Sequence, residues 1–419
     1  MKYYAAKGTQ DILPPASARW EYIEEVARDL FHRYGFDEIR TPIFEHTDLF
    51  IRGVGEGTDI VEKEMYTFED KGGRSLTLRP EGTAAVMRAF VEHKIYGQVQ
   101  PTKLFYMGPM FRYEKPQAGR FRQHNQMGVE LIGTEDPMAD AEVISLGMGI
   151  IKALGLDDIS VQVNSIGCRA CRGDYLQDLT AYLREDEDAL CQDCRARLER
   201  NPLRVLDCKV EGCQRVLDGA PVILDYLCDD CNDHFTALQG YLDEMGLRYE
   251  INPFLVRGLD YYTRTTFEVQ EERIGAQSAL FGGGRYDGLV EDIGGPHMPG
   301  IGFGMGVERV LLALEENGVE LPIGPEIELF VATMGDRARK AAFSLVHKAR
   351  QAGVWTEMDL LARSLKSQMK QADRKDALYT IILGENELDQ GEVSLKNMQT
   401  GEQQQVAMDK IIATIQELI

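Results

Sequence analysis

Apolar residues recur at two periods along this chain, and the switches between them mark its elements. Trp20, Ile23, Ala27, Leu30 and Tyr34 fall three and four positions apart, the spacing of one buried helix face. Gly35 ends that helix, and Phe36-Asp-Glu-Ile-Arg-Thr-Pro42 is expected to follow as a strand closed by proline. Leu76-Thr-Leu-Arg-Pro-Glu81 and Lys103-Leu-Phe-Tyr-Met107 read as further strands alternating with helices, the pattern of an α+β sheet domain. Between Gly108 and Glu130, apolar ends bracket a turn-forming centre at Pro116 and Gly119, which predicts two strands joined by a long loop. Gly300-Ile-Gly-Phe-Gly-Met-Gly306 sets a glycine at every second position of a strand and so leaves one face bare. A helix is expected from Val307, with Arg309 in its first turn.

Leu321-Pro-Ile-Gly-Pro325 breaks the pattern as a linker, and a second domain is expected over 326–419, beginning at Glu326. Strands are predicted at Glu328–Thr333, Val354–Glu357, Leu378–Leu383, Glu392–Lys396 and Gln403–Ala407. Helices are predicted at Arg337–Gln351, Ala362–Lys375 and from Met408, giving a small α/β domain. Within the second of these helices, Arg363, Lys366, Lys370 and Arg374 would share one basic face.

Composition narrows what such a chain can do. At 419 residues it exceeds one simple core, and 44% hydrophobic with 27% charged residues is the balance of a globular protein. A formal net charge of -22 excludes indiscriminate polyanion binding, so any nucleic-acid contact must use local basic patches such as that helix face. The N-terminal stretch has no apolar core of signal-peptide length, and no run is long enough to cross a bilayer, so a cytoplasmic protein without membrane contact is expected.

All eight cysteines lie in one region, about 165–245, as four close pairs: Cys168 and Cys171, Cys191 and Cys194, Cys208 and Cys213, Cys228 and Cys231. In a cytosolic protein such pairs suit tetrahedral zinc better than disulfides. Eight thiolates would close two structural sites, and the spacing leaves open which pairs combine. Free thiols in a helical insertion are the alternative, and on either reading these cysteines are structural rather than catalytic.

The candidate chemistry is concentrated in arginines. Arg112, Arg120 and Arg122 sit in or beside the predicted loop of an otherwise acidic chain, and forked guanidinium groups suit phosphate oxygens. Glu114 adds an acceptor beside them, as a base with an exocyclic amine requires. No Gly-x-Gly-x-x-Gly register and no Gly-Lys-Ser/Thr loop occurs, so nucleotide binding would be neither Rossmann-type nor P-loop.

These segments resemble the three motifs of class II aminoacyl-tRNA synthetases: the helix, strand and Pro42 motif 1, the arginine-bearing hairpin motif 2, and Gly300–Leu314 motif 3. Leu255-Val-Arg-Gly-Leu-Asp-Tyr-Tyr-Thr-Arg264 and Ala279-Leu-Phe-Gly-Gly-Gly-Arg-Tyr-Asp-Gly-Leu289 closely resemble the two histidine-specific motifs of the histidyl-tRNA synthetase family. The resemblance runs from Lys7-Gly-Thr-Gln-Asp-Ile-Leu-Pro14 to the C-terminal domain. It implies a class II catalytic domain over 1–325, an antiparallel sheet flanked by helices and interrupted by the cysteine-rich insertion, then an anticodon-binding α/β domain. The implied reaction is ATP-dependent activation of L-histidine, with Mg²⁺, followed by transfer to tRNA(His) by a homodimer. Histidine contacts are implied for Glu81, Gly82, Thr83, Arg112, Gln126, Glu130, Arg257, Tyr261, Tyr262 and Tyr286. ATP contacts are implied for Arg112, Glu114, Arg120, His124 and Arg309. Arg112 and Arg257 would flank the α-phosphate as the catalytic pair, and Arg363, Lys366, Lys370 and Arg374 would face tRNA. His124 departs from the family pattern, standing where many members carry an aromatic residue against adenine. Two other readings share much of this pattern: a histidine-sensing regulatory subunit of an ATP phosphoribosyltransferase, and a synthetase-like RNA-binding protein without catalysis.

Overall fold

The computed structural model describes residues 3–275, 278–325 and 327–419. Met1 and Lys2, and Glu326 at the expected start of the second domain, lie outside the described residues. The chain divides into two compact units, Met1–Leu321 and Pro322–Ile419.

The first unit is built on an eight-stranded sheet. Its order across the sheet is Asp37–Glu38, Thr102–Phe111, Gln123–Ile132, Gly300–Gly306, Ala279–Arg285, Thr263–Gln270, Val161–Ser165 and Tyr249–Ile251. The six inner strands pair antiparallel, while the two edge strands pair parallel, so the sheet is mixed rather than wholly antiparallel. Parallel neighbours need long crossovers. At one edge the crossover is the helical insertion between Val161–Ser165 and Tyr249–Ile251. The strand expected over 36–42 contracts to Asp37–Glu38 because Arg79 draws the following backbone away, donating from Nη1 to the Thr41 carbonyl at 3.1 Å. The expected strand 76–81 forms as Ser75–Leu78 in a separate three-stranded sheet with Phe44–His46 and Tyr66–Glu69.

Alternation along the inner strands gives the sheet two unlike faces. Met127, Val129, Phe267, Phe281, Ile301, Phe303 and Met305 point to one side and enter the main core. There they meet Trp20, Ile23, Ala27 and Phe31 of helix Ala16–Arg33, and apolar residues of helices Pro137–Ala153 and Val307–Glu316. The intervening residues, among them Gln126, Gly128, Glu130, Glu268, Gly282, Gly302 and Gly304, face the other way.

The insertion carries four helices, Arg169–Glu185, Gln192–Arg200, Glu211–Leu217 and Asp229–Glu244. The last packs Phe235, Leu238 and Leu242 back into the main core, whereas the other three share a second cluster around Tyr175, Leu179 and Leu183.

The second unit has a five-stranded sheet in the order Thr356–Met358, Leu329–Thr333, Tyr379–Leu383, Glu392–Asn397, Gln403–Ala407. The helix expected over 362–375 starts only at Leu365, since Ala362 has φ +55° and Arg363 folds onto Asp359. A short helix, Glu385–Gln390, has no counterpart among the expected elements. It buries no residue, and its ends are fixed by Gly384, whose N–H donates to Glu387, and by Gly391 at φ +71°. Among the described residues, no helix is long and apolar enough to cross a membrane.

Candidate active site

The non-core face of the large sheet is a floor crossed by polar side chains. The long hairpin forms as predicted, with Phe111 opposite Gln123 and the Arg112–Arg122 loop beyond. The alternating glycines of Gly300–Gly306 are bare for a reason the sequence did not give. A side chain at Gly302 would collide with the Glu130 carboxylate, one at Gly304 with Gln126, and one at Gly300 with the Tyr286 ring. Their space is taken by pocket side chains reaching over from neighbouring strands. Gly282 does the same for Arg257, whose guanidinium carbon lies 2.7 Å from where a Cβ would stand.

One half of the site is a cluster of buried polar and aromatic side chains. Tyr286 donates its hydroxyl to Glu130 Oε2, and among the described residues Glu130 Oε1 has no hydrogen-bond partner. Burial pushes the Glu130 carboxyl up to about 8. Glu81 is buried at the start of helix Thr83–Glu92, where it accepts from the backbone N–H of Thr83 at 2.7 Å and of Ala84 at 2.8 Å. Burial raises its carboxyl as well, against those two bonds. Tyr261 packs between Tyr262 and Tyr286, with ring centroids 4.7 and 5.7 Å away. Gly82 leaves room for the ring of Tyr106, a buried residue absent from the sequence-based set. Its only signal was its place in the strand 103–107, on the same face as Glu130.

The other half is a cavity of about 160 Å³ lined by Arg112, Glu114, Arg120, His124, Gln126, Arg257 and Arg309 together with backbone of the central strands. Arg112 is fixed by its Nε bond to the Pro80 carbonyl at 2.8 Å. Arg309 reaches the Ala279 carbonyl at 2.7 Å, Arg120 pairs with Glu114, and Arg257 pairs with Glu268. The arginines crowd one another. Burial, then Arg120, Arg112 and Arg257, bring Arg309 down to about 10. Burial, then Arg112, Arg309 and Arg120, push His124 down to about 3, so its imidazole is neutral. Several cations around one small cavity make an anion site, and among the described residues the buried Gln126 Oε1 and Arg257 Nε are left without partners at its wall.

Other sequence-selected residues lie apart from this centre. Arg122 stacks on Tyr113 at 3.9 Å, and its backbone N–H donates to the Gly8 carbonyl at 2.7 Å, so it anchors the N-terminal segment. Asp260 accepts from Asn201 of the insertion at 2.7 Å. Lys366, Lys370 and Arg374 are exposed on helix Leu365–Arg374 of the second unit. Arg363 does not share that helix face: it precedes the helix and is bonded to Asp359 and Gln371. The cysteines gather into two tetrads, Cys168, Cys171, Cys228 and Cys231 in one, Cys191, Cys194, Cys208 and Cys213 in the other.

Known proteins share this fold. The apo histidyl-tRNA synthetase of S. aureus superposes with a TM-score of 0.84 at 43% identity, covering 99% of this chain and 100% of that one. The first unit therefore has the class II aminoacyl-tRNA synthetase fold. The family model described as Histidyl-tRNA synthetase matches residues 8–310, and one described as Anticodon binding domain matches 328–418. A histidine–tRNA ligase of Halothermothrix orenii is 59% identical over the full length of both chains. One from Caldanaerobacter subterraneus subsp. tengcongensis is 54% identical over 97% of this chain and 98% of its own. The chain belongs to the histidyl-tRNA synthetase family. A Bacillus halodurans C protein described as an ATP phosphoribosyltransferase regulatory subunit/histidyl-tRNA synthetase shares the fold at 22% identity and a TM-score of 0.67.

Proposed function

We propose that this protein activates L-histidine with ATP to histidyl-adenylate and then transfers the histidyl group to the 3′ end of tRNA(His), releasing pyrophosphate and AMP. The observation that carries the reading is the junction of the two half-sites. Gln126 and Arg257 stand in the wall of the arginine-lined cavity, and the glycine face that Gln126 crosses also holds Glu130 and Tyr286. The imidazole of histidine would take the free Glu130 Oε1, with Tyr262 and Tyr286 as walls and Glu81, Gly82 and Thr83 closing the end beside Tyr261. A pocket with partners for a ring N–H rejects side chains that would leave those groups unpaired.

The histidine carboxylate is already an anion, so its attack on the α-phosphorus needs no general base. Catalysis then rests on placement and on charge neutralisation in the pentavalent transition state. Arg112, held on Pro80, and Arg257, stacked on Gly282, supply that charge from two sides. Arg309, in the first turn of its helix, takes the γ-phosphate, and Arg120 joins it on the outer phosphates. Glu114 accepts from the adenine amine, and the neutral His124 ring stacks on the base. Mg²⁺ carried in with ATP would supply positive charge to the outer phosphates. Glu114 and Glu308, bonded to Arg120 and Asn125, are the cavity carboxylates that would meet it.

Residues 1–325 form the catalytic domain and 326–419 hold the anticodon end of tRNA through Lys366, Lys370 and Arg374. The insertion holds structural zinc. The protein works as a cytoplasmic homodimer, and a monomeric mass in sedimentation at micromolar concentration would remove the dimer from this reading. Histidine-dependent exchange of labelled pyrophosphate into ATP, with threonine and proline as controls, tests the reaction. Exchange with histidine alone is expected, and histidine binding without exchange would point to a regulatory protein instead.

A further inference from the structure

The four thiols of each tetrad lie within 4.8 Å of one another. Cys168 Sγ is 3.6 Å from Cys171 Sγ and 4.0 Å from Cys228 Sγ, and Cys191 Sγ is 3.9 Å from Cys208 Sγ. A disulfide needs about 2.05 Å, whereas sulfurs at about 2.3 Å from a tetrahedral zinc stand about 3.8 Å apart. Backbone N–H groups already serve the sulfurs: Cys228 N–H points at Cys171 Sγ (3.1 Å) and Cys191 N–H at Cys213 Sγ (3.2 Å). The pairing is nested. The outer cysteine pairs close one centre at the base of the insertion, and the inner pairs close another within it.

Each centre is wired to a different half of the active site. At the base, Gly167 has φ +63°, and a Cβ there would lie 2.8 Å from Cys171 Cβ, so the backbone wraps tightly round the outer tetrad. The Gly167 carbonyl accepts from Arg264 N–H at 2.9 Å. Arg172, next to Cys171, donates from Nε to the Ile166 carbonyl at 3.0 Å and from Nη2 to the Tyr262 carbonyl. The inner tetrad includes Cys194 on helix Gln192–Arg200. That helix reaches Asp59 through Arg197 at 2.9 Å and Glu62 through Arg200. The segment so held ends at Glu64, whose carbonyl accepts from Tyr113 N–H of the arginine hairpin at 2.7 Å.

We propose that the insertion holds two zinc ions, one per tetrad, and that the outer ion braces the histidine pocket through Arg172 and Tyr262 while the inner ion braces the ATP hairpin through Arg197 and Asp59. The metal centres stand on the thiol geometry alone; the substrate assigned to each brace rests on the aminoacylation reading above.

Metal analysis of the full chain purified without added metal tests the centres. Two zinc ions per chain are expected, and zero or one would overturn the proposal. Cys168→Ser and Cys228→Ser should each lose one zinc, and so should the two combined. Cys168→Ser with Cys208→Ser should lose both. Loss of both ions from the Cys168/Cys228 double variant would refute the nested pairing. Cadmium-113 substitution of the unaltered protein needs no variant, and it should give two resonances in the all-thiolate range; one resonance, or a nitrogen- or oxygen-shifted one, would overturn it. Arg172→Ala should keep both zinc ions and raise KM for histidine about tenfold, the factor set by 1.4 kcal/mol, with KM for ATP unchanged. Arg197→Ala should do the reverse. Equal changes in both constants would refute the braces. Absence of histidine-dependent exchange in the wild type, with two zinc ions present, would defeat the aminoacylation reading and the brace assignment but not the metal centres.

Discussion

Tyr286 and Glu130 meet over the Gly300–Gly306 strand, the phenol donating to Oε2 of a carboxyl group that is 0% exposed. The contact exists because Gly300 and Gly302 carry no side chain where the Tyr286 ring and the Glu130 carboxylate lie. It fixes which carboxylate oxygen remains for a ligand. Tyr286→Phe removes the donor, leaves Oε2 buried and unpaired, and frees the carboxylate to turn. Burying an unpaired polar group costs about 1–3 kcal/mol, so KM for histidine in pyrophosphate exchange should rise by about tenfold or more with KM for ATP little changed. A parallel rise in both constants would assign Tyr286 to the fold rather than to the pocket.

Burial raises Glu130 from the ordinary carboxyl range to about 8. With a folded-state value above the unfolded one, the native protein holds a proton that the unfolded chain has lost. The stabilising contribution is complete below about pH 4.5 and is lost as pH rises through about 8. Glu130→Gln carries no such proton. The wild type should therefore lose melting temperature relative to Glu130→Gln as pH is raised from 5 to about 8, and parallel curves would contradict the buried neutral carboxyl.

The extent to which this site was legible in the sequence follows from what periodicity can carry. The hairpin strands, the glycine strand and Arg309 in a first helical turn were all readable, because each is a local pattern with its own turn chemistry. Three things were not. The occupants of the bare glycine face come from other strands, so only the register of Gly302 against Glu130 and Gly304 against Gly128 reveals them. The pairing of cysteines depends on helices folding back over some sixty residues, from Cys168 to Cys228. Arg363 fitted a helical spacing, but Asp359 captures its guanidinium and backbone N–H, and the helix starts beyond it. Arg285 illustrates the same limit inside a recognised segment: it is 0% exposed and paired with Asp140, which ties the strand to helix Pro137–Ala153.

Arg257 lies against the backbone of Gly282, with Glu268 on its guanidinium. A methyl group at 282 would stand within 2.7–2.8 Å of the guanidinium atoms and push them off the cavity wall. Gly282→Ala keeps every charge but shifts one, and a misplacement of about 1 Å in such a group can cost about 10² in rate. Adenylate formation should fall by about a hundredfold while equilibrium binding of histidine changes little. Near-normal activation by this variant would remove Arg257 from the chemistry.

His124 is neutral across the physiological range, since burial and three arginines hold it at about 3. Its imidazole then acts as a flat ring rather than a further cation beside the four arginines. Stacking of a base on a ring is worth about 1–3 kcal/mol, so His124→Ala should raise KM for ATP by about tenfold or more, and His124→Phe should restore it. The wild-type KM for ATP should show no inflection near pH 6.5, the ordinary histidine value; an inflection there would mean that the ring titrates and binds phosphate instead.

Lys366, Lys370 and Arg374 remain as the exposed cations of helix Leu365–Arg374, with Gln368 and Ala372 buried on its other side. Gln368 is tied to the sheet through Thr333, donating to its carbonyl at 2.9 Å and accepting from its N–H at 2.8 Å, so the basic face is held outward by a fixed register. Removing one cation that binds a phosphate should reduce the slope of log affinity against log salt by about 1. Lys366→Ala and Lys370→Ala together should weaken tRNA binding and flatten its salt dependence by about two such steps, leaving pyrophosphate exchange untouched because no tRNA takes part in it. Arg363→Ala should leave the salt slope as it is, because that guanidinium is already held by Asp359 and Gln371. A drop in slope with Arg363→Ala equal to that of Lys366→Ala would place the RNA path over the turn before the helix instead of along its face.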